Sequence, residues 1–414
     1  MAPSDLLSSE ECQRVVKSWL ADDHFEIVDV QVRPLSDEVS GFLGSHLKVS
    51  INVRLGKERK VTQLEFFAKS MPSEASSFHT DFINSIHCFE KETAFYDIVA
   101  PRLVEAQPAD SPAWAPRCLL TRPDLVLLED LSAQAFRVLD SRAPLDLEHC
   151  RLTLRTLAAF HAASILLERR AGVPLDTLFP EVIHLVFQIC KENLLTGEEE
   201  NLATGWFRTS VKGICSLAEL IRPGADKARI EDTCWKLLDA IQPSTKYRNV
   251  LTEGDVWVKN LMFSYVGEGR PSEVRLIDFQ LVRYVPPAYE IGFFLHLSTS
   301  RELRSAHLED LLREYHSALT SRLAAGGVDA ARELPWPQLV SSYRQLRLGG
   351  VVMAPAHHQL TAMTGDVARK YVSAADFQHF MVRDRDQELR HVFLSDPVYR
   401  KILTEDIEEL LDWK

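Results

Sequence analysis

Two apolar runs, LMFSYV (residues 261–266) and EVRLI (residues 273–277), flank a stretch rich in glycine and proline, and a polar residue bounds each run. Strand-like runs joined by such a turn predict a β-hairpin, and a hairpin folds its two open ends together. Asn260, just before the first run, and Asp278, just after the second, are therefore expected side by side, with Asp255 one loop away. That grouping suits phosphoryl transfer. One carboxylate can take a hydroxyl proton, while an amide oxygen and a second carboxylate offer hard oxygen ligands to Mg²⁺. An ordinary hairpin with solvated polar ends has the same spacing, so the pattern needs support from elsewhere in the chain.

Support comes from the first hundred residues. Residues 25–32 alternate partly, and residues 47–55 (LKVSINVRL) place Leu47, Val49, Ile51, Val53 and Leu55 on one face. A turn at residues 56–59 leads into VTQLEFFA (residues 61–68), a strand that ends at Lys69. Helical spacing then runs over residues 88–103, with Pro101 expected to break its end. A strand lysine paired with a glutamate of the following helix can hold the α- and β-phosphates of ATP. Glu92 is better placed for that than Glu90, because Phe89 and Phe95 anchor its helix. Taken alone, Lys69 reads as a surface lysine and Glu92 as part of a solvated face. Gly41 and Gly44, followed by Ser45, let backbone N–H groups come close to phosphate, although most glycine pairs at this spacing only make turns. Glu129 and Leu131 follow a short buried strand at residues 125–128, where backbone groups can meet an adenine edge; a plain polar loop is the equal alternative. Neither GxxxxGK[ST] nor a full GxGxxG occurs, so a P-loop or dinucleotide fold has no support.

Beyond Leu131 the pattern turns helical, over residues 145–169, the 180s, 210–221, 231–241 and 308–323, with the hairpin as the only clear β element. His161 reads as a satisfied core histidine and Trp257 as a packing residue of the loop. The chain is expected to be α+β, with a β-rich nucleotide-binding unit over residues 1–130 and a mainly helical unit over residues 131–414. A net charge of −12 argues against nucleic acid or anionic membrane as partner. Seven scattered cysteines without a CxxC or Cys/His cluster argue against zinc and for reduced thiols. The N-terminus reads as a short amphipathic helix capped by Ser8 or Ser9, and no apolar run approaches the roughly 20 residues that span a bilayer. A cytoplasmic monomer is the expectation.

In chain order, the segments GFLGSHLKV (41–49), FFAKSMP (66–72), FEKETAFYDIVAPRL (89–103), LVLLEDLSAQAFRV (125–138), LRTLAAFHAAS (154–164), EGDVWVKNLMF (253–263) and VRLIDFQLVRY (274–284) resemble the ecdysteroid kinase-like family, related to aminoglycoside phosphotransferases and choline kinases. The resemblance implies a protein-kinase-like fold of two lobes, a small β-rich N-lobe and a larger mainly helical C-lobe. It implies Asp255 as catalytic base, Asn260 and Asp278 as Mg²⁺ ligands, Lys69 on the ATP phosphates, Glu92 as the partner of Lys69, and Gly41, Gly44 and Ser45 as the nucleotide cover. The implied activity is ATP- and Mg²⁺-dependent transfer to a hydroxyl of a small molecule, an ecdysteroid or another lipophilic alcohol. Two alternatives stand beside it. One is a kinase for a polar alcohol such as choline or an aminoglycoside, with Glu198, Glu199 and Glu200 lining the acceptor site. The other is a non-catalytic pseudokinase that binds a small ligand. Gln280 stands where protein kinases have glycine, which points away from a protein acceptor. Two departures from the family pattern bear on catalysis. Glu253-Gly254-Asp255 replaces His-Gly-Asp, and Tyr289-Glu290-Ile291 occupies the region where the family has Asp-Leu. Glu253 adds a negative charge beside Asp255 and is expected to slow the enzyme.

Overall fold

Alternation in the first seventy residues becomes three long antiparallel strands, β1 (Phe25–Pro34), β2 (Ser45–Leu55) and β3 (Val61–Ser70). Two shorter strands, β4 (Cys118–Arg122) and β5 (Leu125–Glu129), complete a five-stranded sheet in the order β1-β2-β3-β5-β4. The computed structural model describes residues 6–35, 43–56, 60–72, 77–178, 190, 192–198, 201–267, 269–365, 368 and 377–414. The helix expected in the 180s and most of the turn at residues 56–59 lie outside them. Val49, Ile51, Val53 and Phe66 bury one face of the sheet in a cluster with Cys12, Val15 and Val16 of α1 (Ser9–Leu20). α1 begins with a capping box: Ser8 accepts from the Glu11 N–H while the Glu11 side chain accepts from the Ser8 N–H. Such a cap is worth about 1 kcal/mol.

On the opposite side, Val126 and Leu128 join the main core together with Phe89 of α2 (Cys88–Ala94). Pro101 does not end this helical run. The chain widens into a π turn over Phe95–Val99, where the Ala100 N–H donates five residues back to the Phe95 carbonyl, and continues as Ala100–Ala106. Pro101 therefore sits in a first turn, where a missing N–H carries no penalty.

Helices dominate the remainder. α3 (Leu147–Ala171), capped by Asp146, runs through the core. By length and composition α3 is apolar enough to cross a membrane, yet 78% of its most apolar window is buried inside the fold. α6 (Arg301–Ala325) packs along α3, and α4 (Leu202–Ile221), α5 (Pro287–Ser298) and α8 (Pro397–Leu411) pack against α7 (Leu348–Thr361). The helix expected over residues 231–241 breaks into Lys227–Trp235 and Leu237–Ala240. The hairpin is not the only β element here. A two-residue strand, β6 (Arg137–Val138), pairs with β8 (Leu261–Val266), which pairs in turn with the second hairpin strand β9 (Arg270–Leu276). β7 (Val250–Thr252) pairs with β10 (Arg283–Val285) and clamps both ends of the segment between them. Runs of two or three residues are too short to show periodicity. The whole is an α+β arrangement, an N-terminal antiparallel sheet followed by a larger helical part, with the clamped segment at the junction of sheet and helices.

Candidate active site

Hairpin closure sets the first two residues. Leu261 pairs with Leu276, and the Ile277 N–H donates to the Asn260 carbonyl at 3.1 Å, so Asn260 and Asp278 finish together. Asp278 takes a left-handed backbone conformation (φ 71°, ψ 58°) that reverses the chain into a short 3-10 turn, Phe279–Leu281. A non-glycine residue held there costs about 1–2 kcal/mol, and such strain gathers where side-chain direction matters.

Lys69 crosses from the sheet to meet it. Its Nζ donates to Glu92 Oε2 at 2.6 Å, Asp278 Oδ1 at 2.5 Å and Gln280 Oε1 at 2.9 Å. Gln280 in turn donates from Nε2 to Asp278 Oδ2 at 3.2 Å. Burial disfavours the Lys69 ammonium, but the Asp278 and Glu92 carboxylates outweigh it and raise its pKa. Burial pushes Glu92 up to about 7 against the pull of Lys69. A Cβ on Gly44 would lie 3.2 Å from Cε and Cγ of Lys69, so the backbone there lies against the lysine stem. Ser45 pairs with Ser70 and His46 with Lys69 in the β2–β3 ladder, and burial followed by the Lys69 charge lowers His46 to about 4. Gly41 lies outside the described residues.

The Asp255 loop forms the second half. Asn260 Nδ2 donates to the Asp255 carbonyl at 3.0 Å and to Asp255 Oδ2 at 3.1 Å, which leaves Asn260 Oδ1 as an acceptor with no partner among the described residues. Gly254 has φ +94°, and a Cβ there would sit 1.9 Å from the Leu281 carbonyl oxygen. Only glycine allows so close an approach. The Gly254 N–H donates to Glu290 Oε1 at 2.8 Å; Glu290 Oε2 lies 2.7 Å from His161 Nε2, and His161 Nδ1 lies 2.8 Å from the Tyr315 hydroxyl. His161 is thus a satisfied core histidine, and it also braces the glutamate that holds the loop. Glu253 is fully buried. Its Oε2 accepts the Asp255 N–H at 2.8 Å, while Oε1 has no hydrogen-bond partner among the described residues. Burial, then the charges of Asp255 and Glu290, push Glu253 well above the usual carboxylate range. Asp255 rises to about 7, chiefly through burial and then Asp278.

Glu129 and Leu131 stand apart from this cluster. Glu129 ends β5 opposite Phe66 and accepts from the Arg117 N–H and Gln134 Nε2, while Leu131 is buried at the start of a 3-10 turn capped by Asp130. Glu198 is exposed, and Glu199 and Glu200 lie outside the described residues. Sequence reasoning missed Gln280 as a partner of Lys69 and Glu290 as the loop anchor. Gln280 was legible only as a replacement for glycine and Glu290 only as a departure from Asp-Leu, since neither carries a local pattern that names its contact.

The sequence model of the ecdysteroid kinase-like family matches residues 38–327, and the chain belongs to this family of small-molecule phosphotransferases. Among solved structures, a microcompartment-associated aminopropanol kinase is similar over 93% of this chain and 98% of its own, at 15% identity and a TM-score of 0.39. A streptomycin-ATP-APH(2")-IIa ternary complex is similar over 90% of this chain and 96% of its own, at 12% identity and a TM-score of 0.35. No curated protein matches the sequence.

Proposed function

We propose that this phosphotransferase moves the γ-phosphoryl group of ATP to a hydroxyl of a small lipophilic molecule, with Asp255 as base. One observation carries the reading: Lys69 Nζ is bonded to Glu92 and Asp278 at once, and Asp278 closes the hairpin beside Asn260, which holds Asp255. A lysine, two oxygen donors and a further carboxylate in one constellation support phosphate binding, metal binding and base roles for them. The Asp278 carboxylate and Asn260 Oδ1 are a donor set that fits Mg²⁺. When bound there, Mg²⁺ neutralises charge on the phosphate oxygens. Lys69 moves its charge onto the α- and β-phosphates, with Glu92 holding the ammonium in place. Gly41, Gly44 and Ser45 cover the phosphates, and the backbone at Glu129 and Leu131 receives the adenine edge, so residues 1–130 carry the nucleotide and residues 131–414 the acceptor. Family membership supports an ecdysteroid or similar alcohol as acceptor. The seven free cysteines support a reducing compartment, the cytoplasm.

The test is an ATP-consumption assay with mass spectrometry of products over a panel of ecdysteroids, sterols, phenols, choline and aminoglycosides. A mass gain of one phosphoryl group on a lipophilic alcohol is the expected outcome, and phosphorylation of choline or an aminoglycoside alone would replace that acceptor class. The unpartnered Glu253 oxygen beside Asp255 favours a second reading, a ligand-binding protein that has lost turnover. Thermal stabilisation by ATP that requires Mg²⁺, without product from any acceptor, would select it.

A further inference from the structure

A histidine outside the family-matched region faces the proposed base. His357 lies on α7, and its Nε2 stands 3.9 Å from Asp255 Oδ1, the oxygen that Asn260 does not hold. The separation is too long for a direct hydrogen bond. It suits an intervening hydroxyl: an oxygen about 2.8 Å from each atom would see them about 90° apart. We propose that His357 is an acceptor-binding residue, and that the acceptor hydroxyl sits between its Nε2 and Asp255 Oδ1.

Three features fix His357 in that place. α7 crosses α5 at close quarters, because a Cβ on Gly350 would lie 2.2 Å from the Gly292 carbonyl oxygen. The neighbouring His358 points elsewhere, with Nδ1 2.7 Å from Asp406 Oδ2 and Nε2 3.2 Å from the Leu297 carbonyl, which sets the rotation of the helix. The ring of Trp257, from the Asp255 loop, meets the His357 ring edge-to-face with centroids 4.6 Å apart. Trp257 is half-buried, and the His357 and Asp255 side chains each keep 15% exposure, so the gap opens outward beside an aromatic wall. Sequence reading had given Trp257 a packing role alone.

The hydrogen-bond chemistry is complementary. Thr361 Oγ1 lies 3.1 Å from the His357 carbonyl and 3.3 Å from His357 Nδ1; with its hydrogen turned to Nδ1 it leaves the ring proton on Nε2, the tautomer this arrangement requires. Burial and the adjacent His358 hold the imidazole down at about 3, so it is a neutral donor that does not compete with Asp255 for the proton. The acceptor hydroxyl gives its hydrogen to Asp255 Oδ1 and accepts from His357 Nε2–H, which leaves its second lone pair for phosphorus. As the acceptor oxygen bonds to the γ-phosphorus, its proton passes to Asp255 and the β,γ-bridging oxygen departs with ADP. His357 keeps its own proton throughout.

This inference rests on Asp255 being the base, and its test separates the two. Crystals of the full chain with Mg²⁺ and AMPPNP, grown without acceptor, are expected to hold an ordered water oxygen within about 3.2 Å of both atoms. A gap without ordered oxygen, or a water bonded to Asp255 alone, overturns the proposal. In solution, with the panel alcohol that is phosphorylated fastest, His357→Phe is expected to lower kcat/KM for that alcohol at least tenfold and leave the KM for ATP within twofold. His357→Gln keeps an N–H donor and is expected to recover part of the loss. Unchanged acceptor kinetics in His357→Phe, or a matching rise in the ATP KM with a lower Tm, would each overturn it. Asp255→Asn is measured alongside. Wild-type turnover in Asp255→Asn would sink the base assignment itself, whereas an inactive Asp255→Asn with a normal His357→Phe sinks only the role of His357.

Discussion

Lys69 is bonded to three oxygens from two parts of the chain, and its loss removes a charge-assisted contact worth about 1.5–3 kcal/mol. Lys69→Met is expected to raise the KM for ATP roughly 10- to 100-fold. Glu92→Gln, which leaves the ammonium in place but less firmly held, should give a milder rise. Asp255→Asn should lower turnover by about 10²–10⁴ and leave the ATP KM nearly unchanged. Steady-state kinetics with ATP varied sorts these outcomes, and a Lys69→Met enzyme with wild-type KM would return Lys69 to a structural role. Lys69, Asn260 and Asp278 were legible in the sequence because each bounds a strand-like run, whereas Glu92, inside a helical run, and Asp255, one loop away from the hairpin, stood out by spacing and by the family resemblance. Glu253 was legible only as an added charge. Its complete burial follows from the tertiary packing of the clamped segment, which no local pattern encodes. Glu253→Gln tests that burial. A carboxyl whose folded pKa lies above 4.5 binds more protons in the folded state, so its contribution to stability falls as pH rises from 4.5. The glutamine keeps an acceptor for the Asp255 N–H without the charge, and its stability relative to wild type should grow with pH above 4.5, read by urea unfolding across a pH series. A difference that stays flat with pH counts against a buried, proton-linked Glu253.

Elements declare themselves in a sequence when they are long enough to repeat. β2, β3, the hairpin and α3 all do so, and their ends fall within a few residues of expectation. The short clamp of β7 on β10 and the π turn before Pro101 do not, because both depend on partners distant in sequence or on a single hydrogen-bond shift. The crossing of α5 on α7 belongs to this second group. Gly349 and Gly350 look like helix breakers, yet they lie inside α7, where the Tyr289 ring and the Gly292 backbone would collide with any Cβ. Their small size sets the distance between the helix that anchors Gly254 through Glu290 and the helix that carries His357. Gly350→Ala would push a methyl group into the Gly292 carbonyl, and overpacking of this kind costs about 1–3 kcal/mol. The expected result is a lower Tm together with a lower kcat/KM for the acceptor, at an ATP KM close to wild type. A variant with unchanged Tm would mean that the helices separate freely and do not position the site.

Across the whole molecule, the site is assembled from parts that only the complete fold brings together. Lys69 and Asp278 are 209 residues apart, and α8 near the C-terminus reaches α7 through Asp406. The two-lobed plan was legible because its order of elements resembles a family. The C-terminal ties were not, since the resemblance fades before α7. His358 makes the clearest of these ties. Both of its ring nitrogens face acceptors, Asp406 Oδ2 and the Leu297 carbonyl, and only the imidazolium can donate to both. Burial opposes that charge, but Asp406 outweighs burial and raises the pKa of His358 above its ordinary 6.5. A histidine raised on folding contributes stability that is fully present below 6.5 and is lost as pH climbs through the folded value. His358→Gln donates from a neutral amide and carries no such dependence. The stability of the wild type relative to His358→Gln, measured by urea unfolding from about pH 5.5 to about pH 9, should therefore be largest at the acid end and shrink steadily above 6.5. A difference that widens toward alkaline pH would show that His358 is buried neutral, and that α8 is held to α7 by packing instead of by the ion pair.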